Sequence, residues 1–266
     1  MKRKNSISSS ERLSGILQII KEKKHISIET VCNDFHVSEA TARRDLDLLN
    51  EQGALTRVHG GAITVEKSQP ESPLFQRMGI QTVNKQNIGK TAAGLINKGD
   101  TVFLGSGTTV YEVARNLKNF EELTVITNSL LVINELISCP GITLVALGGI
   151  VRHSEQSMIG NIAEASLSGL YANLVIIGIH GIDVEQGLTN HYLPEAVTDR
   201  KILQAGKRII IVADHTKCGK ISVSKVAPIS VIDTYITDSD APDEFTKGLE
   251  ELGVKVIKTH GSEGIS

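Results

Sequence analysis

Four apolar residues, Leu13, Ile16, Leu17 and Ile20, recur at i, i+3, i+4 and i+7, the spacing that places side chains on one face of a helix. Ser8 and Glu11 precede them in the S-x-x-E relation of a capping box, which predicts the helix start. The polar run from Lys21 to His25 ends it. Ile28, Val31, Cys32 and Phe35 predict a short second helix with one buried stripe, and His36-Val37-Ser38 a tight connection. Ser38 is a natural N-cap for a third helix, Glu39 to Asn50. On that helix Ala42, Leu46 and Leu49 share one face, which must be the core side. Ala40, Thr41 and Arg44 lie opposite, with Arg43 on the flank. After Gly53, ALTRVHGGAI reads as two short strands joined by a Gly-Gly turn.

Glu66 to Pro73 (EKSQPESP) is polar, carries two prolines and has no periodicity, so it predicts a linker. Beyond it, continuous apolar runs alternate with helical patterns. The runs are TVFL at 101–104, LTVIT at 123–127, ITLVAL at 142–147, LVIIGI at 174–179, RIIIVA at 208–213, VIDTYIT at 231–237 and VKVIKT at 254–259. Helices are expected near 84–96, 109–117, 129–138, 161–169, 195–205 and 243–252. Val/Ile-rich strands without polar alternation, separated by helices, imply an α/β domain whose mostly parallel sheet is covered on both faces. The predicted organisation is a small α+β unit at 1–67, a linker at 68–74 and an α/β unit at 75–266.

Length and composition agree with this division. At about 150 residues per domain, 266 residues fit one large or two modest domains. An apolar fraction of 40% with 22% charged residues excludes a disordered chain. The formal net charge of -2 argues against a nucleic-acid partner until it is split. Residues 1–67 hold 11 Lys/Arg against 9 Asp/Glu, and the remainder 17 against 21. The head is therefore basic and the body acidic, with the head's charge grouped in Lys2, Arg3, Lys4, Arg12, Lys21, Lys23, Lys24, Arg43 and Arg44. With 4 Tyr, 5 Phe and no Trp, a binder that stacks single-stranded bases is excluded. Cys32, Cys139 and Cys218 are far apart and form no CxxC, which fits neither a disulfide framework nor a zinc site and suits a reducing cytoplasm. No apolar stretch approaches the roughly 18 residues of a membrane span, and no signal peptide is expected.

The three helices and paired strands make a winged helix-turn-helix. Its third helix offers Ser38, Ala40, Thr41, Arg43 and Arg44 near the N-terminal end. Arg can read guanine bidentately or clamp a phosphate, and small neighbours let the helix backbone approach the major groove. Arg57, His59 and Gly60 of the wing are placed to touch backbone or minor groove. A three-helix interaction bundle with solvated arginines is the bland alternative. The segment VSEATARRDLDLLNEQGALTRVHGGA closely resembles the DNA-binding motif of the DeoR family of bacterial transcriptional repressors, with its VSxxTxRRDL core, G-x-L-x-R spacing and closing HGGA. Ala42 stands where that family usually has Ile.

In the α/β unit the unusual residues fall after strands, where ligands of such sheets bind. TVFL leads into Gly105-Ser106-Gly107-Thr108-Thr109 and then a helix, a candidate phosphate cradle built from backbone amides and hydroxyls. Asn128-Ser129, Gly148-Gly149, His180-Gly181-Ile182-Asp183 and Asp214-His215-Thr216-Lys217 end four further strands. Together they suit an anionic, polyhydroxylated ligand. This segment is similar to the DeoR-type C-terminal sensor domain, with landmarks SGTT, TNS, GG, GID-x3-GLT and D-x-x-K. The resemblance implies a fold related to ribose-5-phosphate isomerase and a phosphorylated sugar or related metabolite as effector. It implies phosphate contacts from Ser106, Gly107, Thr108 and Thr109 with Lys217 beside them, and sugar contacts from Asn128, Asp183 and Asp214, within a pocket that Ser129, Gly148 and Gly149 also line. Gly105 and Cys218 stand where the family often has Asp and Phe. LPEAVTDRK at 193–201 is expected to open a helix over the site, with Arg200 either a ligand contact or an outward ion-pair residue.

The expected function is a repressor of a sugar or carbohydrate operon, a homo-oligomer (dimer or tetramer) that leaves operator DNA when a phosphosugar binds. Asp183, Asp214 and Glu195 are carboxylates in roughly suitable places for aldose–ketose isomerisation. No enzyme signature surrounds them, so no catalytic activity, cofactor or metal is expected.

Overall fold

The computed structural model describes residues 9–23, 25–51, 55–58, 60–64 and 73–259. Two compact units emerge, Met1–Gln69 and Pro70–Ser266. The capping-box serine, Ser8, the side chain of Glu11, and the basic tail lie outside the described residues, as does the linker up to position 72.

The first unit runs α1 (Ser9–Lys23), β1 (His25–Ser27), α2 (Ile28–Phe35), α3 (Glu39–Glu51), β2 (Leu55–Val58) and β3 (Gly61–Thr64). The three helices follow the apolar spacing of the sequence. Ile16 and Ile20 of α1, Ile28 and Val31 of α2, and Ala42, Leu46 and Leu49 of α3 meet in one buried cluster. Ala42 is completely buried, so the small residue there belongs to the packing and not to the exposed face. Beneath the helices Arg12 of α1 and Asp45 of α3, both nearly buried, form a two-bond pair at 2.5 and 3.1 Å. The Asp45 carboxylate, its first hydrogen-bond partner, raises the Arg12 pKa and keeps it charged.

Sequence pattern alone did not reveal β1. It adds a third antiparallel strand, giving the order β1-β3-β2, with Ile26 opposite Ala62. Only one of the two glycines expected in the wing turn is a turn residue. Gly60 has φ +84°, a left-handed conformation that glycine adopts without steric cost, whereas Gly61 already pairs with both Val58 and Ser27. A Cβ on Gly61 would stand 2.2 Å from the Ile26 carbonyl oxygen, so the missing side chain lets three strands close up.

The second unit contains α4 (Leu74–Met78), α5 (Thr82–Ala93), β4 (Thr101–Leu104), α6 (Thr108–Arg115), β5 (Leu123–Thr127), α7 (Leu130–Leu136) and β6 (Ile142–Ala146). Then come β7 (Ile150–Arg152), β8 (Ser157–Ile159), α8 (Asn161–Ser166), β9 (Ala172–Ile177), β10 (Gly181–Asp183), β11 (Gly187–Asn190), α9 (Leu193–Gln204) and β12 (Gly206–Val212). The chain closes with β13 (Ser224–Ala227), β14 (Thr234–Asp238), α10 (Asp243–Glu251) and β15 (Lys255–Thr259). Leu74, expected at the end of the linker, is instead fully buried and opens α4.

All seven expected strands form one parallel sheet, ordered β15-β14-β12-β9-β4-β5-β6. Its strands are apolar on both faces because both faces are covered. Ile209 and Ile211 of β12 pack with α9 and α10 residues such as Ala196, Ile202 and Leu249, whereas Ile210 and Val212 pack with Ile88 of α5 and Val110 of α6. The chain travels β4, β5, β6 in one direction and then returns to place β9 on the other side of β4. That reversal leaves a crevice beyond the carboxyl ends of β4 and β9, the usual ligand position in such sheets.

Six short strands were not foreseen in sequence. Besides β1, they are the β7–β8 hairpin and the small antiparallel sheet β10-β11-β13, apart from whose β10–β11 turn no local signal announces the pairing. We expect Gly61→Ala to destabilise the first unit by roughly 1–3 kcal/mol, read as a lower denaturant midpoint, because its Cβ would collide with backbone rather than with a side chain that can move.

Candidate functional site

The exposed end of α3 carries the residues that sequence singled out for a groove. Ala40, Arg43 and Arg44 are exposed and Thr41 is half-buried. Ser38 accepts a hydrogen bond from the Thr41 amide at 3.4 Å, and the two hydroxyls lie 3.0 Å apart, so the cap also fixes Thr41 at the helix start. Arg43 pairs with Glu39 one turn away, with both side chains more than half exposed. Such pairs contribute about 0.3–0.5 kcal/mol, which a phosphate group can outcompete.

Arg57 is placed differently from the groove contact foreseen for it. Its Nε donates to Asp47 Oδ1 at 2.8 Å, its guanidinium also donates to the Gly61 carbonyl, and its amide donates to Asn50 Oδ1 at 3.0 Å. The side chain therefore fastens the wing to α3. Gly60 is exposed, and its carbonyl accepts from the Ile28 amide at 2.9 Å. His59 lies outside the described residues.

In the second unit a cleft of about 260 Å³ opens at the carboxyl ends of β4, β9 and β12, where the sheet reverses. Ser106, Gly107, Thr108, Thr109, Asp214 and Lys217 line it, as the sequence led us to expect. Gly107, with φ +110°, precedes α6 and provides no side-chain cap. The first-turn amides of α6 have no intrahelical acceptor and face the cleft at the positive end of the helix dipole. Asp214 accepts from the Thr216 amide at 3.0 Å, closing a tight turn that carries Lys217 to the cleft wall. His215 supports the same turn by donating its amide to Asp238 Oδ2 at 2.8 Å.

Asn128, Ser129, Gly148, Gly149 and Asp183 do not line the cleft. The strand order explains why: β5 and β6 lie beyond β4, on the side away from β9. Their ends are occupied by the β7–β8 hairpin, whose Met158 amide donates to the Asn128 carbonyl at 2.8 Å and whose Met158 carbonyl accepts from Asn128 Nδ2 at 3.2 Å. Ser129 caps α7. Gly148 and Gly149 lead into β7, and a Cβ on Gly149 would meet the Ile159 carbonyl oxygen at 2.9 Å. Asp183 turns the β10–β11 hairpin by accepting the amides of Glu185 and Gln186 at 3.0 and 2.9 Å. Arg200 takes neither expected role, since its guanidinium donates to the Lys225 carbonyl, with Nε at 3.1 Å.

Several cleft residues carried no sequence signal. Arg77 of α4 pairs with buried Glu155 of the β7–β8 turn, and Lys85 of α5 donates to the Arg77 and Ile80 carbonyls at 2.7 and 2.6 Å. Burial lowers the Lys85 pKa to about 8 despite the opposing charge of Asp214, and burial with Arg77 nearby lowers that of Lys217. At the opposite end, Glu195 of α9 pairs with Arg152 and accepts from Ser157 Oγ at 3.1 Å and Asn190 Nδ2 at 3.3 Å. Burial alone would raise the Glu195 pKa, but the hydrogen bond and charge of His180, with Arg152, hold it well below the usual carboxylate range. Asp199, 2.9 Å from the same Asn190 nitrogen, is pushed up by burial and by the Glu195 charge. The cleft thus has a cationic, amide-rich pole at α6 and a carboxylate pole at α9.

Two family models match the chain, the DeoR-like helix-turn-helix domain over residues 12–68 and the DeoR C-terminal sensor domain over residues 80–239. The chain belongs to the DeoR family. DeoR proteins similar to it along nearly their whole length include the transcriptional repressor GlcR of Bacillus subtilis, 36% identical over 96% of this chain and 98% of that one. The putative aga operon transcriptional repressor of Escherichia coli O157:H7 is 32% identical over 96% and 95%. The glycerol-3-phosphate regulon repressor of Escherichia coli K12 is 32% identical over 89% and 93%. Ribose 5-phosphate isomerase from Plasmodium falciparum overlaps 52% of this chain and 53% of its own at 18% identity, with a TM-score of 0.38. This DeoR protein is therefore a DNA-binding transcriptional regulator with a sensor domain, and no helix among its described residues is long and apolar enough to cross a membrane.

The lowered Lys85 pKa gives the DeoR cleft a pH signature. Half of its charge is lost by about pH 8 and nearly all by about pH 9.5, so inorganic phosphate should bind several-fold more weakly as pH rises from about 7.5 to about 9.5. Lys85→Arg, which cannot lose its proton, should make the profile measured by isothermal titration calorimetry shallower, with the lowered pKa of Lys217 still contributing; a flat wild-type profile would remove Lys85 from the anion's surroundings.

Proposed function

We propose that this protein represses a carbohydrate operon from the cytoplasm and is released from its operator when a phosphorylated sugar or related metabolite occupies the cleft. The observation that carries this reading is the pole at the start of α6, where first-turn amides without an intrahelical acceptor, Ser106, Thr108, Thr109 and Lys217 line the same cleft. The phosphate sits there, Asp214 lies beside the ligand, and the sugar extends toward Asn190 and Asp199. Relatives named for the aga operon and the glycerol-3-phosphate regulon support carbohydrate or phosphorylated-metabolite control.

On the DNA side Ser38, Ala40, Thr41, Arg43 and Arg44 enter the major groove and Gly60 lets the wing approach the backbone, while Arg57 holds wing and helix together. A homo-oligomer presents paired recognition helices to half-sites roughly 34 Å apart or a multiple of it. Effector binding shifts the population between two arrangements of those helices.

Sensing fits the cleft better than turnover. An isomerase needs a carboxylate free to take a carbon-bound proton. Glu195 is engaged by Arg152, Ser157 and Asn190, Glu155 by Arg77 and Asp199 by Asn190, Asp214 closes the turn before Lys217, and Asp183 lies in a hairpin outside the cleft.

Lys217→Ala should abolish release by phosphorylated sugars in a gel-shift assay while sparing DNA binding; a normal response of that variant would displace the proposed site. Arg44→Ala should weaken DNA binding by about 1–3 kcal/mol with metabolite binding intact, and if Arg44 clamps a phosphate the salt slope should fall by about one.

A further inference from the structure

The cleft wall includes a segment that does not belong to the sheet. Arg77 and Ile80 come from α4 and the turn after it, the first described residues beyond the linker that leads from the DNA-binding unit. Four polar contacts among the described residues hold this segment to the sensor. The Leu74 amide donates to the Ser154 carbonyl at 2.9 Å, Arg77 pairs with Glu155, and Lys85 grips the carbonyls of Arg77 and Ile80. Three of these four contacts involve a charged side chain that also lines the cleft.

The latch is only partly satisfied. Glu155 is 2% exposed, and its Oε1 has no hydrogen-bond partner among the described residues. The buried Glu155 carboxylate therefore depends on Arg77, and because Arg77 also lines the cleft, an anion there competes with Glu155 for the same guanidinium. Gln81, which joins α4 to α5, has φ +53°, a left-handed conformation unfavourable for a residue with a side chain.

We propose that α4 is the relay between effector and DNA: the anion bound at α6 draws Arg77 away from Glu155 and so shifts α4, to which the linker is attached. This rests on the proposed effector reading and adds the residue pair through which that site acts. In the ligand-free protein the Arg77–Glu155 pair keeps α4 latched and the chain competent for DNA. When phosphate enters, Arg77 gains a doubly charged partner, Lys85 follows its own attraction to the same anion, and the grip on the Arg77 and Ile80 carbonyls loosens.

The test uses the full chain and a DNA fragment from its own promoter, without effector. Glu155→Gln and Arg77→Gln should each lower DNA affinity about tenfold, and the double variant should be no worse than either single, as for two residues acting through one bond. Melting temperatures of the variants confirm that they are folded; should Glu155→Gln fail to fold, Arg77→Gln and Arg77→Lys provide the same comparison, with the lysine variant restoring most of the affinity. In parallel, inorganic phosphate and glucose 6-phosphate are added and the rise in melting temperature is read. Wild-type DNA affinity in both single variants, or additive losses in the double, would overturn the relay. Absence of a wild-type thermal shift with either probe, together with weakened DNA binding in the variants, would overturn the effector reading and the anion's part in the relay while leaving α4 as a determinant of DNA affinity.

Discussion

A strand that is apolar on both faces is stable only where helices cover both sides, and this demand shapes the whole sensor unit. Adjacent positions of β12 alternate between two cores, Ile209 and Ile211 facing one and Ile210 and Val212 the other. Helical coverage of both faces forces crossover connections, and crossovers make neighbouring strands parallel. Parallel strands send all their carboxyl ends to one edge, and the reversal from β6 to β9 opens that edge beside β4. The anion pole is a product of the same demand, since the helix that covers β4 must begin at the crevice with its first amides unpaired.

The strands and helices were legible because they answer to period and length, which are local properties. The seven apolar runs became the seven strands of one sheet, and the spacing of Ala42, Leu46 and Leu49 placed them in the core. The cradle at 106–109 and the D-x-x-K turn were legible for a related reason, as each is a contiguous segment attached to a recognisable strand end. Strand order is a long-range property. Without it, all strand ends look equivalent, and Asn128 and Gly148 were grouped with residues from which the sheet order separates them, while Asp183 was carried out of the cleft by a hairpin the sequence pattern did not reveal.

The other half of the cleft shows a second reason for illegibility. Arg77, Lys85, Glu155 and Asn190 come from α4, α5, a hairpin turn and β11, and none sits in a motif. Their meaning is relational. Lys85 on a helix surface would be a solvated cation; beneath the Arg77 and Ile80 carbonyls it is a buried clamp with a lowered pKa. Glu195 had been noted as a possible base, and only its contacts with Arg152, Ser157 and Asn190 reveal it as a structural anion.

The attachment of Arg57 to Asp47, Asn50 and Gly61 bears on how binding preferences diverge within such proteins. The residues proposed to read bases sit at the front of α3, while those that bond the wing arginine, Asp47 and Asn50, sit at its rear. Grafting Ala40, Thr41, Arg43 and Arg44 alone into another scaffold would transfer half of the reading head and leave the wing aimed for a different groove. Moving the specificity of such a helix to another scaffold therefore requires moving its rear residues and the matching arginine with it.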